Sequence, residues 1–551
     1  MSLINKLIVG LFGLVSTAVM ADQAPKNPWL VDSPWAINHH DSYASDTSPS
    51  PGPTAANELG APQFVGTGPI NISLPMSSLY PDGRRVWWGN DVLSVYKLAL
   101  VNGKLTKVAS MKKTGSPLVA LRTPTSGAYT LVDRDNTYFT VSGVSMMSYR
   151  DTQPGVVTSA IKQQAAFTLP TSVTSSDDAI VGLNILWDGN LAFVTRNAVV
   201  GVVSRDFKAI QSVKLGTGED DVSNSIATDE NGGIYVVSSK AMYRVQWTGK
   251  QLSTDPSTGA WRAEYNTGAA GGTSGRLGAG SGSTPTLMGT TGQRFVVITD
   301  GADVGNMVLF WRDQIPADWR AIAPGKDSRI AAEMPINFGD VNRKATKDEQ
   351  SVVVSGYGAL AVSNDYSNVG AISQLGSSSP IAGSLTNGLI QLLSASPKVQ
   401  PWGVQKFEWD QASRTLRSVW ATLKVSCPNA IPTMSSASNR FYCVGAHKGW
   451  WTIESLDWTT GQGHFRKYVG MLPRYNSFYS QTQSNDDGSM IYGSFDGVVY
   501  LPAVKAQAKP PVINIVQNVV QNVAQNTAAV VTAVTAPVAA ITKGIGGLFG
   551  R

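Results

Sequence analysis

The chain has 551 residues and a net charge of +6, with charged residues at only 15 %, well below the roughly one-quarter usual for soluble domains. Its 54 glycines and 15 tryptophans suit a turn-rich sheet protein better than a helical one. The absence of any basic run or stripe removes the electrostatic footprint of nucleic-acid binding, and the sequence holds no Gly-x-Ser-x-Gly elbow, His-Glu-x-x-His pair or nucleotide loop.

Residues 1–21 read as a signal peptide. Lys6 gives the positive start, Leu7 to Val15 the apolar core, and Val19-Met20-Ala21 the small-residue cleavage site ahead of Asp22. The apolar run is too short to span a bilayer comfortably, so export to a periplasm or the exterior is the expectation.

Residues 22–68 form a Pro/Ser-rich segment without periodicity. Within it, Trp35 to Tyr43 concentrates polar and aromatic groups. His39, His40 and Asp41 are the candidate catalytic residues, as an acid/base pair or metal ligands over a sheet face. Adjacent side chains on extended chain point opposite ways, so the two histidines are not expected to share one centre. The competing reading is a surface segment packed by Trp35 and Tyr43.

Within residues 69–505, the expected propeller, one unit recurs imperfectly from about 76 to 504. A short apolar strand meets a tight polar turn, and a strand rich in aromatic and β-branched residues follows. The turns are Pro81-Asp82-Gly83, Arg134-Asp135-Asn136, Asp188-Gly189-Asn190, Glu230-Asn231-Gly232, Thr291-Gly292-Gln293, Ser438-Asn439-Arg440 and Asp487-Gly488-Ser489, with a weaker one near Gly356-Tyr357-Gly358. Such dipeptides supply the positive φ that hairpins need. Turn-to-turn spacing of roughly 40 to 80 residues is that of a four-stranded propeller blade with insertions. The predicted fold is all-β: a single β-propeller of eight blades, with seven as the alternative count. The unit near Asn306 and the stretch Gly268 to Ser283 read as loop insertions. Closure would come from a strand near Pro69 to Leu74 joining the last blade.

Cys427 and Cys443 are the only cysteines. In an exported chain such a pair is expected to form a disulfide, worth about 3 kcal/mol.

The segment Ser455-Leu456-Asp457-Trp458-Thr459-Thr460-Gly461-Gln462-Gly463-His464-Phe465 resembles the blade motif of quinoprotein-like (PQQ-like) propellers. Asp457, Thr460 and Gly461 fall in its register, and Ser455 and Phe465 are softer substitutes. A truncated copy runs from Asp255 to Trp261, and a degenerate one pairs Asp410 with Trp420. The motif is structural: Asp and Thr close a turn, Gly takes positive φ, and the aromatic packs between blades. The resemblance implies the fold over most of the chain. Dehydrogenases of that family hold PQQ and calcium on the axis, many with adjacent cysteines against the quinone. This chain lacks that cysteine pair and any Cys-x-x-Cys-His, so PQQ ranks behind calcium as a cofactor.

A calcium site of the gluconolactonase or strictosidine-synthase kind would draw oxygen ligands from several blades. The candidates are Asn184, Asn224, Asp300, Asp303, Asn306, Asn364, Asp365 and Asn476, each weighed against an ordinary role in a turn.

Residues 506–551 are a low-complexity tail. Val516, Val519, Val520 and Val523 keep helical spacing, which offers a protein partner or a membrane surface a place to bind. The functional expectation is an exported binding or scaffold module. The alternatives are a calcium-dependent hydrolase or lyase and a quinone-dependent dehydrogenase.

Overall fold

Alternating strand and turn signals close here into a ring of eight sheets. The computed structural model describes residues 23–114, 126–216, 221–268, 280–370 and 388–504. The predicted signal peptide and the tail lie outside them.

Blade 3 shows why these sequences make blades. Its strands are Ile180–Ile185, Leu191–Thr195, Val199–Val203 and Ile210–Lys214, paired antiparallel in that order. The first three are buried throughout, whereas the fourth is partly exposed along its length. Strands with neighbours on both faces read as continuous β-branched runs, and the outermost strand need not. The first turn, Asp188-Gly189-Asn190, is closed by the Asn190 amide donating to Asp188 Oδ1 at 3.0 Å. Gly189 sits at φ 89°, and a Cβ there would lie 2.5 Å from the Trp29 ring. Only glycine fits both demands.

The innermost strands of blades 2 to 8 are Leu131–Val132, Ile180–Ile185, Ala227–Thr228, Thr286–Met288, Val353–Ser355, Thr433–Ser435 and Gln483–Ser484. In blade 1, Met76 bridges Trp87 from the inner position. The eight-blade count therefore holds. Asn306–Trp311 is the third strand of blade 5, not an insertion; the insertion follows it, at 312–329. Met307 to Trp311 is an unbroken apolar run, buried throughout, and the polar Asp300–Asn306 loop ahead of it is what gives this unit the look of an insertion in the sequence.

Closure does come from the N-terminal side, through an earlier stretch than expected. Gln63–Gly66 pairs antiparallel with Gly497–Tyr500 as the outer strand of blade 8. The expected stretch Pro69–Leu74 adds loop contacts: the Ile70 and Asn71 amides donate to Phe495 and Ser494 carbonyls. Blade 8 thus draws on both ends of the ring and leaves no edge open there.

The blade motif is built as the resemblance implied. Asp457 Oδ1 accepts from the Thr459 and Thr460 amides and the Thr460 hydroxyl, and Gly461 takes φ 70°. Trp420 of blade 6 packs on Gly461 and donates Nε1–H to the Trp458 carbonyl of blade 7 at 2.9 Å. Trp261 makes the same inter-blade bond to Arg312.

Cys427 and Cys443 form a disulfide with Cα atoms 6.0 Å apart, both fully buried. It ties the link entering blade 7 to that blade's second strand. Native protein should therefore show no thiol that can be alkylated. Reduction should lower the unfolding free energy by about 3 kcal/mol, read from denaturant midpoints with and without reductant; an unchanged midpoint would contradict this.

Candidate functional site

The innermost strands turn one edge of unpaired N–H and C=O groups toward the axis. Residues 35–50 run around that axis and meet all eight blades. The Met76 amide donates to the Trp35 carbonyl at 2.6 Å and Val132 to Ala36 at 2.8 Å. Thr228 donates to Ser42, Leu287 to Tyr43, Val354 to Ser45 and Met434 to Asp46, at 2.8 to 2.9 Å. Asn184 Nδ2 reaches the Ser42 carbonyl for blade 3. Trp35 Nε1 donates to Ser484 of blade 8 at 2.8 Å. Thr47–Ser48 then lies parallel to Met434–Ser435.

Following this curve puts His39, His40, Ala44 and Asp46 at φ 63°, 75°, 58° and 53°, a left-handed region that non-glycine residues rarely enter. Strain of this kind persists only where surrounding bonds over-determine it. Side chains do so here. The Tyr43 hydroxyl donates to Glu230 at 2.5 Å, and buried Arg312 lies 5.2 Å over its ring.

The two histidines meet different carboxylates. His39 Nδ1 lies 2.9 Å from Asp46 Oδ2, both buried, and its Nε2 faces the Thr284 and Ser351 hydroxyls at 3.3 and 3.4 Å. Tyr129 stacks on the ring at 5.6 Å. Burial pushes the Asp46 carboxyl up, against the opposing pull of His39 and a 2.6 Å bond from Gln481. Burial likewise pushes the Tyr129 phenol up.

His40 Nδ1 lies 3.2 Å from Asp41 Oδ2, and Asp41 also accepts from the Ser45 amide and hydroxyl. The ring stands edge-on to Trp35. This dyad lines a cavity of about 390 Å³ between residues 23–34 and 40–50. Gly289, Ser355, Gly356 and Asp486 complete its wall, so it opens on the face carrying the first turn of each blade, here the turn face. The opposite face, where chain passes from blade to blade, is the link face.

Of the oxygen-ligand candidates, Asp300 and Asn306 meet within one loop, and the others are engaged with different partners. Asn184 holds Ser42 and Ile226 carbonyls. Asn224 bonds its neighbour Ser223. Asp300 accepts from Ala302 and Asn306 amides and the Asn306 side chain, closing its own loop. The Asp303 carbonyl accepts from Thr346. Asn364 joins Glu349 to Pro428, and Asp365 pairs with Arg343 at 3.1 Å. Asn476 joins Asn429, Phe478 and Gln391. Among the described residues no three His, Cys, Asp or Glu side chains gather as a metal would need. A quinone would need the axial space that residues 35–50 fill, so the residues present do not fit one. Asp46, Glu230 and Arg312 belong to the axial cluster, and sequence reading did not single them out in that role; only the aromatic anchors Trp35 and Tyr43 pointed there.

No family model matches the chain. An uncharacterized protein of Archaeoglobus fulgidus is 39 % identical over 490 residues, covering 87 % of this chain and 89 % of that one. A europium-containing methanol dehydrogenase superposes with a TM-score of 0.50 at 9 % identity, over 86 % of this chain and 98 % of the other. The C-terminal WD40 domain of Sif2 gives 0.45 at 9 %, over 81 % and 99 %. At such identities the solved structures speak to the fold.

Two stability measurements check this geometry. Asp46→Ala leaves His39 buried without its carboxylate and should cost about 3 kcal/mol, whereas His40→Ala at the cavity wall should cost under about 1 kcal/mol. Equal costs would contradict the assignment. Burial pushes Asp300 up to about 6, so the folded state holds its proton more tightly than the unfolded one. The stability this contributes is complete below about pH 4 and is lost as pH rises through 6. The advantage of wild type over Asp300→Asn should therefore shrink by about 2 to 3 kcal/mol between those limits; a constant difference would refute the shift.

Proposed function

Since the chain belongs to the family of the Archaeoglobus fulgidus protein and has the quinoprotein-like propeller fold, we propose that it is an exported binding module whose ligand sits in the turn-face cavity. The observation that carries this reading is the axis itself: the protein's own residues 35–50 occupy it and bond to every blade. The place where a propeller enzyme of this fold would hold a reactive group is taken up by backbone.

The cavity has the character of a ligand site. Its volume falls in the range of small-molecule pockets, and Leu30, Val31, Tyr43, Leu287 and Val354 give it apolar walls. A carboxylate only accepts hydrogen bonds, so in the neutral ring the bond to Asp41 places the hydrogen of His40 on Nδ1 and leaves Nε2 as an acceptor. A ligand offering an O–H or N–H donor and an apolar flank meets that wall. The buried disulfide supports export, since such bonds persist in oxidising compartments. The hydrolase and dehydrogenase alternatives need ligand sets that these residues do not assemble.

A photoreactive phenylalanine analogue at Gln23, exposed on the cavity wall, tests the reading in native envelopes. Illumination should add one discrete mass there and none from Ser110, on the outer strand of blade 1. Identical patterns from both positions would overturn the cavity as the site. Calcium with PQQ should leave the melting temperature unchanged; a clear rise would favour the axial enzyme instead.

A further inference from the structure

Large apolar side chains are exposed unevenly. Val341, Leu389, Leu393, Leu423, Tyr468 and Met471 make up six of the twelve found exposed among the described residues. All six lie on the link face or on strand ends running to it, within blades 5 to 7 and the links that follow them. Met471, at 55 % exposure, lies in the link from blade 7 to blade 8.

Aromatic rings join them. Trp450 stands edge-on to Tyr468 at 5.8 Å, and the Tyr468 hydroxyl lies 2.8 Å from His447 Nδ1. His447, Trp402, Leu423, Lys424 and Arg343 line an open groove of about 640 Å³. The groove's one carboxylate, Asp365, is neutralised by Arg343. Around it Lys344, Lys398, Lys424 and Lys448 are exposed, and none has an ion-pair partner among the described residues. Apolar patches rimmed by polar groups mark interaction sites. Tryptophan, tyrosine and lysine together are the residue types that settle at a membrane–water interface.

We propose that this rim of the link face docks the propeller on an anionic membrane surface. The lysines meet the headgroups, and Leu423, Met471 and the Trp450–Tyr468 pair enter the interfacial layer. Charge complementarity selects this occupant: four exposed lysines outweigh Asp340, the carboxylate beside Val341, the groove's own carboxylate is paired with Arg343, and lipid headgroups supply a continuous field of negative charge. The turn-face cavity then faces away from the bilayer. This inference stands apart from the cavity reading, since each concerns a different face.

The test uses the full chain and vesicles of phosphatidylcholine alone or mixed with phosphatidylglycerol, followed by co-sedimentation at low and high salt. Wild type should bind the mixed vesicles, release in high salt and bind neutral ones weakly. Each lysine is worth about fivefold in partitioning, so Lys424→Glu with Lys448→Glu should weaken binding by more than about tenfold. Leu423→Glu with Met471→Glu should weaken it comparably. Leu79→Glu, exposed on the turn face, should leave it unchanged, and near-ultraviolet dichroism should match wild type for every variant. Equal binding to both vesicle types, indifference to both double variants, or an equal loss in Leu79→Glu would overturn the proposal. Failure to bind any vesicle would also overturn it and leave a protein as the occupant.

Discussion

A propeller has an inner rim as well as an outer one, and at the inner rim every blade ends in a strand edge whose backbone groups need partners. In eight blades that is a ring of edges around a channel. Exposed edges invite pairing with other chains, and buried backbone polar groups left unpaired are costly. Here the chain solves the problem with itself. Carbonyls of Trp35, Ala36, Ser42, Tyr43, Ser45 and Asp46 accept from the inner strands in turn, so one segment serves as a common hub. Each blade is then held to its neighbours and to the hub, and the bonds at the centre bear on all eight.

The hub explains features that look unrelated in the sequence. Four non-glycine residues with positive φ within a short stretch would be a liability elsewhere. They are held because the Tyr43–Glu230–Arg312 and His39–Asp46–Gln481 contacts allow no relaxed alternative. The hub also divides the molecule. His39 is sealed inside with two hydroxyls, whereas His40, the next residue, opens to the turn-face cavity. Two neighbours of one chemical type end in different surroundings because the backbone between them curves in the left-handed region.

Much of the ring was legible because blade chemistry is local. Asp188-Gly189-Asn190 and Asp457 to Gly461 close turns with their own side chains and backbone, and the strands after them carry buried β-branched and aromatic residues. The disulfide was legible because two cysteines allow one intramolecular pairing. The hub was not. Its residues follow no period, since each bonds a different blade far away in sequence, and Asp46 resembles any loop aspartate until His39 and Gln481 stand beside it. The closing strand Gln63–Gly66 is short and meets its partner only through chain closure. Likewise, the aspartates and asparagines read as metal candidates mostly hold loops and links, a role composition cannot separate from ligation.

Residues 35–50 form a structural hub, and amide hydrogen exchange tests this most directly. The amides of Thr228, Leu287, Val354 and Met434 donate to that segment. If the hub is integral, they exchange as slowly as the buried amides of Leu191–Thr195, near the global unfolding limit. Rapid exchange at these four positions, with the blades still protected, would show that the segment leaves the axis and would contradict the account.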